Sequence, residues 1–149
     1  VSKNCGEGSI DLSFRATEAQ ASAGIADFSR QLLSRGVPPE WVDSVKIAVA
    51  EAINNVVEHA YAGPKPGMVN LRCRMMQTAL EIQIVDKGVA MPGLHPPDGI
   101  PPNIVKERQL LPEGGFGWFM IHQLTSGVIY NREDGINRLC LTFDFADPP

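Results

Sequence analysis

A chain of 149 residues is long enough for one domain with a full core and short for two. Its composition, 44% hydrophobic and 20% charged, is that of a soluble globular protein, and no apolar run approaches the roughly 20 residues that span a bilayer. The net charge of -4 argues against broad nucleic-acid binding, which needs a basic surface to displace counterions from phosphates.

Ile10, Leu12 and Phe14 alternate as a short strand does. Thr17 with Gln20 makes a capping-box signal, and Ile25, Phe28 and Leu32 give one helical stripe that ends near Gly36. Pro38-Pro39 opens a second helix running to about Tyr61, stopped by Gly63-Pro64. Val69, Leu71, Cys73 and Met75 have period two, as do Leu80, Ile82 and Ile84, and the break at Gln77-Thr78 joins them as a hairpin. Twelve glycines and prolines then fall between Gly88 and Gly117, which reads as a long functional loop. Helical character returns from Phe116 to Ser126. Val128 and Tyr130 follow, then an Asp134-Gly135 turn, then Leu139, Leu141, Phe143 and Phe145 in strict alternation. Strands joined by tight turns imply an antiparallel or mixed sheet with the helices gathered on one face.

Three places carry candidate chemistry. Glu51 and Asn55 lie four apart on one helical face, with His59 one turn further on. Val45, Ala48, Val49, Ala52, Val56 and Val57 make most of that helix apolar, so a carboxylate and an amide on it need partners. One reading is an exposed polar stripe. The other is a hard-metal or phosphate site, where the carboxamide oxygen suits Mg2+ and the carboxylate accepts a proton from an incoming hydroxyl. Asp86-Lys87-Gly88-Val89-Ala90 follows a strand end, a geometry that delivers a carboxylate to a ligand or simply initiates a turn. Glu113-Gly114-Gly115-Phe116-Gly117-Trp118 opens a helix, where backbone N–H groups and the helix dipole favour phosphate; a plain hinge is the alternative.

The order of these pieces resembles the GHKL ATPase superfamily, whose ATP-binding fold is called the Bergerat fold. The likeness runs from the strand at Ile10 to the strand at Phe145 and is strongest to the small bacterial anti-sigma factor serine kinases of the RsbW and SpoIIAB type. Val49 to Tyr61, ending His59-Ala60-Tyr61, is similar to that family's N box, and Glu113 to Gly117 to its last glycine box. The resemblance implies an α+β fold, a two-layer sandwich with a mixed, mostly antiparallel sheet and helices on one face, in a single domain over 1–149 with a lid at about 88–114. It implies that Asn55 holds the Mg2+ bridging the triphosphate and that Asp86 accepts a hydrogen bond from the adenine amino group. Gly88 would let the backbone approach the base. Gly115 and Gly117 would hinge the lid and offer N–H groups to phosphates, with His59, Ala90, Gly114 and Phe116 completing the ATP-binding set. Glu51 would be the general base that activates a serine hydroxyl.

Two departures bear on this. The strand-end box usually reads Asp-x-Gly-x-Gly, and Ala90 stands in place of the second glycine, where it would resist a positive φ. Glu58 occupies the position where histidine kinases often carry Lys, which counts against that branch. Lys106 and Arg108 are the basic residues of the lid. The implied function is a Mg-ATP-dependent serine kinase that sequesters a sigma factor and phosphorylates a STAS-domain antagonist, as a homodimer without direct nucleic-acid or membrane contact. The rivals are an ATP-binding regulatory module of a larger signalling protein, for which the Val1 start is a hint, and a nucleotide binder without turnover. Cys5, Cys73 and Cys140 are far apart with no Cys-x-x-Cys pair, and Val1 to Ile10 has no signal-peptide pattern, so a cytoplasmic setting is expected.

Overall fold

The computed structural model describes residues 8–61, 65–99 and 115–145. In chain order these form β1 (Ser9–Arg15), α1 (Glu18–Ser34), α2 (Pro39–Asn55), a π-helical turn (Val56–Ala60), β2 (Met68–Met75), β3 (Ala79–Asp86), a 3-10 turn (Pro92–Leu94), α3 (Gly115–Leu124), β4 (Gly127–Glu133) and β5 (Ile136–Asp144). The five strands make one sheet in the order β1-β2-β3-β5-β4, antiparallel at every pairing. Of the two sheet types that the tight turns allow, the antiparallel one is realised.

Local chemistry accounts for the boundaries. The Thr17 side chain accepts a hydrogen bond from the Gln20 backbone N–H at 3.2 Å, capping α1. Gly36, with φ of 87°, ends that helical unit in the left-handed region that glycine reaches without a Cβ penalty. Asp134 (φ 52°) and Gly135 (φ 75°) make the two-residue turn between β4 and β5, whose twist matches the flanking strands. The α3 helix stops at Leu124, and Ser126 N–H already donates to Thr142 O in the sheet at 2.8 Å.

Period-two burial along the strands separates the two faces of the sheet. Ile10, Phe14, Val69, Leu71, Leu80, Ile82, Ile84, Leu139, Leu141 and Phe143 are buried and join one core with Ile25, Phe28, Leu32, Val45, Val49, Ile53 and Ile121 of the helices. Each such side chain contributes roughly 1.5–3 kcal/mol of transfer free energy. The opposite face is polar, with Arg72 paired to Asp11 at 3.2 Å and Arg74 to Glu81 at 3.3 Å.

The second helix departs from simple α winding. At Tyr61 the N–H donates to Val56 O at 3.2 Å, a five-residue closure that widens the last turn. That turn brings Ala60 O within reach of Val89 N–H at 2.9 Å. The Tyr61 hydroxyl donates to Met68 O at 3.0 Å and accepts from Lys87 N–H at 2.6 Å, and burial pushes its phenol pKa up. The helix end is thereby fixed to both β2 and the segment leaving β3.

Candidate functional site

One cavity of about 310 Å³ opens between the end of α2, the end of β3 and the first part of the loop after it. Its lining includes Asn55, His59, Asp86, Ala90, Met91, Pro97, Tyr130 and Asn137, so residues from all three elements meet there. A mostly apolar cleft with a few convergent polar groups is the usual form of a small-ligand site.

The helix wall comes from α2 and its π turn. Asn55 Nδ2 donates to Glu51 O at 2.8 Å, which leaves Oδ1 and the second N–H to serve a ligand. His59 lies one turn further on, half exposed, with its Nε2 3.8 Å from Glu58 Oε2. Glu51 sits on the same helix but turns toward α3. A Cβ built on Gly117 would lie 2.5 Å from Glu51 Oε2, so the carboxylate occupies the space a side chain at 117 would take. It therefore sits beside the first turn of α3, where the helix dipole favours negative charge.

The strand wall is built around Asp86, which is 5% exposed. Its Oδ1 accepts from Gly88 N–H at 2.8 Å and from Asn137 Nδ2 at 2.8 Å. The first of these is the turn that the Asp-x-Gly pattern also predicts. No buried side-chain oxygen or nitrogen among the described residues lacks a partner, and both bonds end on Oδ1, so Oδ2 is open to the cavity. Gly88 is required by close approach: a Cβ there would lie 2.3 Å from Ala60 O. Ala90 does not have a positive φ, so the missing glycine brings no backbone strain.

Asn137, Tyr130 and Arg132 were not singled out by the sequence patterns. Asn137 is 4% exposed and pairs directly across from Asp86 in the register of β3 and β5, and Arg132 pairs across from Asn137 in β4. The signal was present: continuing the alternation of Leu139, Leu141 and Phe143 backward by two puts a polar residue on the core face.

Gly115, Phe116 and Gly117 open α3, as the glycine box predicts. Gly114, Lys106, Arg108 and the later part of the lid lie outside the described residues. Of the early lid, Met91 N–H donates to Tyr130 Oη at 3.1 Å and His122 Nε2 lies 2.8 Å from Pro97 O. Among the described residues no group of three or more His, Cys, Asp or Glu could hold a metal ion. A cation here would take Asn55 Oδ1 and complete its shell from ligand oxygens and water, which fits Mg2+ better than zinc. No helix among the described residues is long and apolar enough to cross a membrane.

The sheet, the helices on its one face and the cavity at the strand ends define a GHKL-type nucleotide-binding fold. The family model for the histidine kinase-like ATPase domain matches residues 14–143, and the chain belongs to that family. Among curated relatives it is 27% identical over 129 residues to the serine-protein kinase RsbW of Listeria innocua, covering 86% of this chain and 82% of that protein. It is 33% identical over 110 residues to the RsbW of Oceanobacillus iheyensis, covering 68% and 65% of the two chains. Among solved structures, the RsbU and RsbW domains of Rv1364c from Mycobacterium tuberculosis superpose with a TM-score of 0.64 at 17% identity, over 91% of this chain and 32% of that one. The SiaB–SiaC complex of Pseudomonas aeruginosa gives a TM-score of 0.57 at 14% identity, over 90% and 88%. These two structural likenesses concern the fold, and the named sequence relatives are protein kinases acting on serine.

Proposed function

We propose that this chain is a protein serine kinase that binds Mg-ATP, sequesters a sigma factor and phosphorylates a STAS-domain antagonist on serine. The observation that carries the reading is the meeting of Asn55, His59 and Asp86 on one cavity, with Glu51 one turn before Asn55 on the same rigid helix. Asp86 Oδ2 is an acceptor suited to the exocyclic amine of adenine, and a charge-assisted bond there is stronger than a neutral one. The bound Mg2+ would supply charge neutralisation on the phosphates, with Asn55 Oδ1 as its protein ligand. Glu51 is the general base: it takes the proton from the serine hydroxyl as that oxygen attacks the γ-phosphorus, while the bond to the β-phosphate oxygen breaks and ADP leaves. The amides opening α3, from Gly115 to Gly117, face the phosphates, and the segment over 88–114 serves as the lid. The serine-kinase relatives support kinase chemistry, and the sigma factor, the antagonist and the homodimer are carried over from the family resemblance as part of this proposal.

Transfer of the labelled γ-phosphate of ATP to a purified STAS-domain protein encoded beside this gene tests the reading. Labelling of one serine, dependent on Mg2+, is the expected result. Tight nucleotide binding with no transfer would favour a binder without turnover.

A further inference from the structure

We propose that Asn137 is a positioning residue that makes the cavity selective for a 6-amino purine over a 6-oxo purine, acting through Asp86. This deepens the nucleotide reading above and rests on it. The inference comes from the donor and acceptor pattern around one buried amide. Asn137 Oδ1 accepts from Tyr130 Oη–H at 2.5 Å and from Arg132 Nη1 at 2.7 Å. Its Nδ2 donates to Asp86 Oδ1 at 2.8 Å and to Val89 O at 3.0 Å, with Gly88 O at 3.3 Å. Arg132 Nη1 also donates to Gly88 O at 2.9 Å.

This arrangement admits one amide orientation. Turning the amide over would aim its N–H groups at the Arg132 donor and its carbonyl at the Asp86 carboxylate, two mismatches in a buried site. Asn137 is therefore always a donor toward Asp86. With the Gly88 N–H as second donor, Oδ1 of Asp86 is saturated and the carboxylate plane is fixed. Only Oδ2 faces the cavity, and it is an acceptor that cannot rotate out of the way. A ligand with a donor at that point is bound. A ligand with a carbonyl oxygen there meets acceptor against acceptor. The register of the sheet builds the device, because Asp86, Asn137 and Arg132 are successive cross-strand neighbours over β3, β5 and β4.

Without the Asn137 amide, Asp86 gains freedom about its side-chain torsion and water enters behind it, so the penalty against a 6-oxo group falls. The test compares ATP with inosine triphosphate, which differs at the purine 6-position, by calorimetric titration of the whole chain. Asn137→Ala is expected to weaken ATP about tenfold or more while inosine triphosphate changes by less than about threefold, so the preference collapses. Asn137→Ser, which keeps a short donor, is expected to recover part of it. A preference unchanged in Asn137→Ala, whether both nucleotides weaken together or neither does, overturns the proposal. Should Asn137→Ala lack a cooperative thermal transition, Tyr130→Phe and Arg132→Met each remove one donor to Oδ1 and are expected to reduce the preference at least about twofold. An unchanged preference in both overturns the proposal equally. Wild-type protein that binds neither nucleotide overturns the nucleotide reading itself, a result distinct from a preference that fails to shift.

Discussion

The two walls of the cavity are built to different standards. On the strand wall, Asp86 and Asn137 are buried, and five hydrogen bonds to Asn137 alone tie three strands and the backbone of Gly88 and Val89 together. On the helix wall, among the described residues, Asn55 has a single side-chain bond, to the helix itself, and His59 has one long, half-exposed ion-pair contact. A buried network that is fully satisfied resists rearrangement, whereas a partly buried amide and a half-exposed imidazole adjust to what arrives. One wall is shaped before the ligand comes, and the other is completed by the ligand. On the proposed nucleotide reading this would divide the labour, with the strand wall selecting the base and the helix wall serving the phosphates, the metal and the reacting hydroxyl.

Substitutions that separate affinity from turnover sharpen that division. The largest effect is expected at Glu51, where Glu51→Gln should slow phosphate transfer by roughly 100- to 10,000-fold while ATP affinity measured by calorimetry stays near wild type. Equal losses in binding and transfer would put Glu51 in a structural role. Next, Asp86→Asn should weaken both ATP and ADP by about 10- to 100-fold whether or not Mg2+ is present, because the charge-assisted bond to the base is lost. Asn55→Ala should cost about tenfold, and only with Mg2+, and titrations in magnesium and in EDTA distinguish the two walls directly. The smallest effects expected, read on stability, come from the glycines. Gly88→Ala forces a Cβ against backbone at Ala60 O and should destabilise by about 2 kcal/mol, read as a fall in the unfolding midpoint. Gly117→Ala meets only the end of the flexible Glu51 side chain, so its midpoint should move less.

The amount legible from sequence differs between the same two walls. The helix residues stood out because Glu51, Asn55 and His59 repeat at helical spacing in an otherwise apolar stretch, although only Asn55 and His59 line the cavity. Asp86 was visible as an acid at the end of a regular alternation. The elements themselves followed from period: the Ile25, Phe28 and Leu32 stripe is buried as expected, and Thr17 caps its helix through Gln20. The π turn was not legible, because Val56 to Ala60 keeps the composition of an α-helix and the bonds that accompany the wider winding, from Val89 to Ala60 and from Lys87 to Tyr61, come from far along the chain. Asn137 was missed for a related reason. Its partner, Asp86, is 51 positions away, and no local pattern brings the two together before the strand register is known. Local propensity writes elements into a sequence plainly, whereas a buried polar pair across strands is written only in the pairing.

The placement of β1 also has a consequence for assembly. Its partner β2 lies beyond both long helices, and Asp11 meets Asn70 across 59 positions of chain. During synthesis β1 is made well before β2, and among the described residues it pairs with no other strand. Until β2 follows, Ile10 and Phe14 depend on α1 for cover, and closing so long a loop costs entropy before the pairing repays it. The β2–β3 hairpin needs no such wait, since its strands are joined by a short turn. The sheet is thus expected to grow outward from that hairpin, with β1 as a late addition at its rim and the strand wall of the cavity complete only when β5 has docked beside β3.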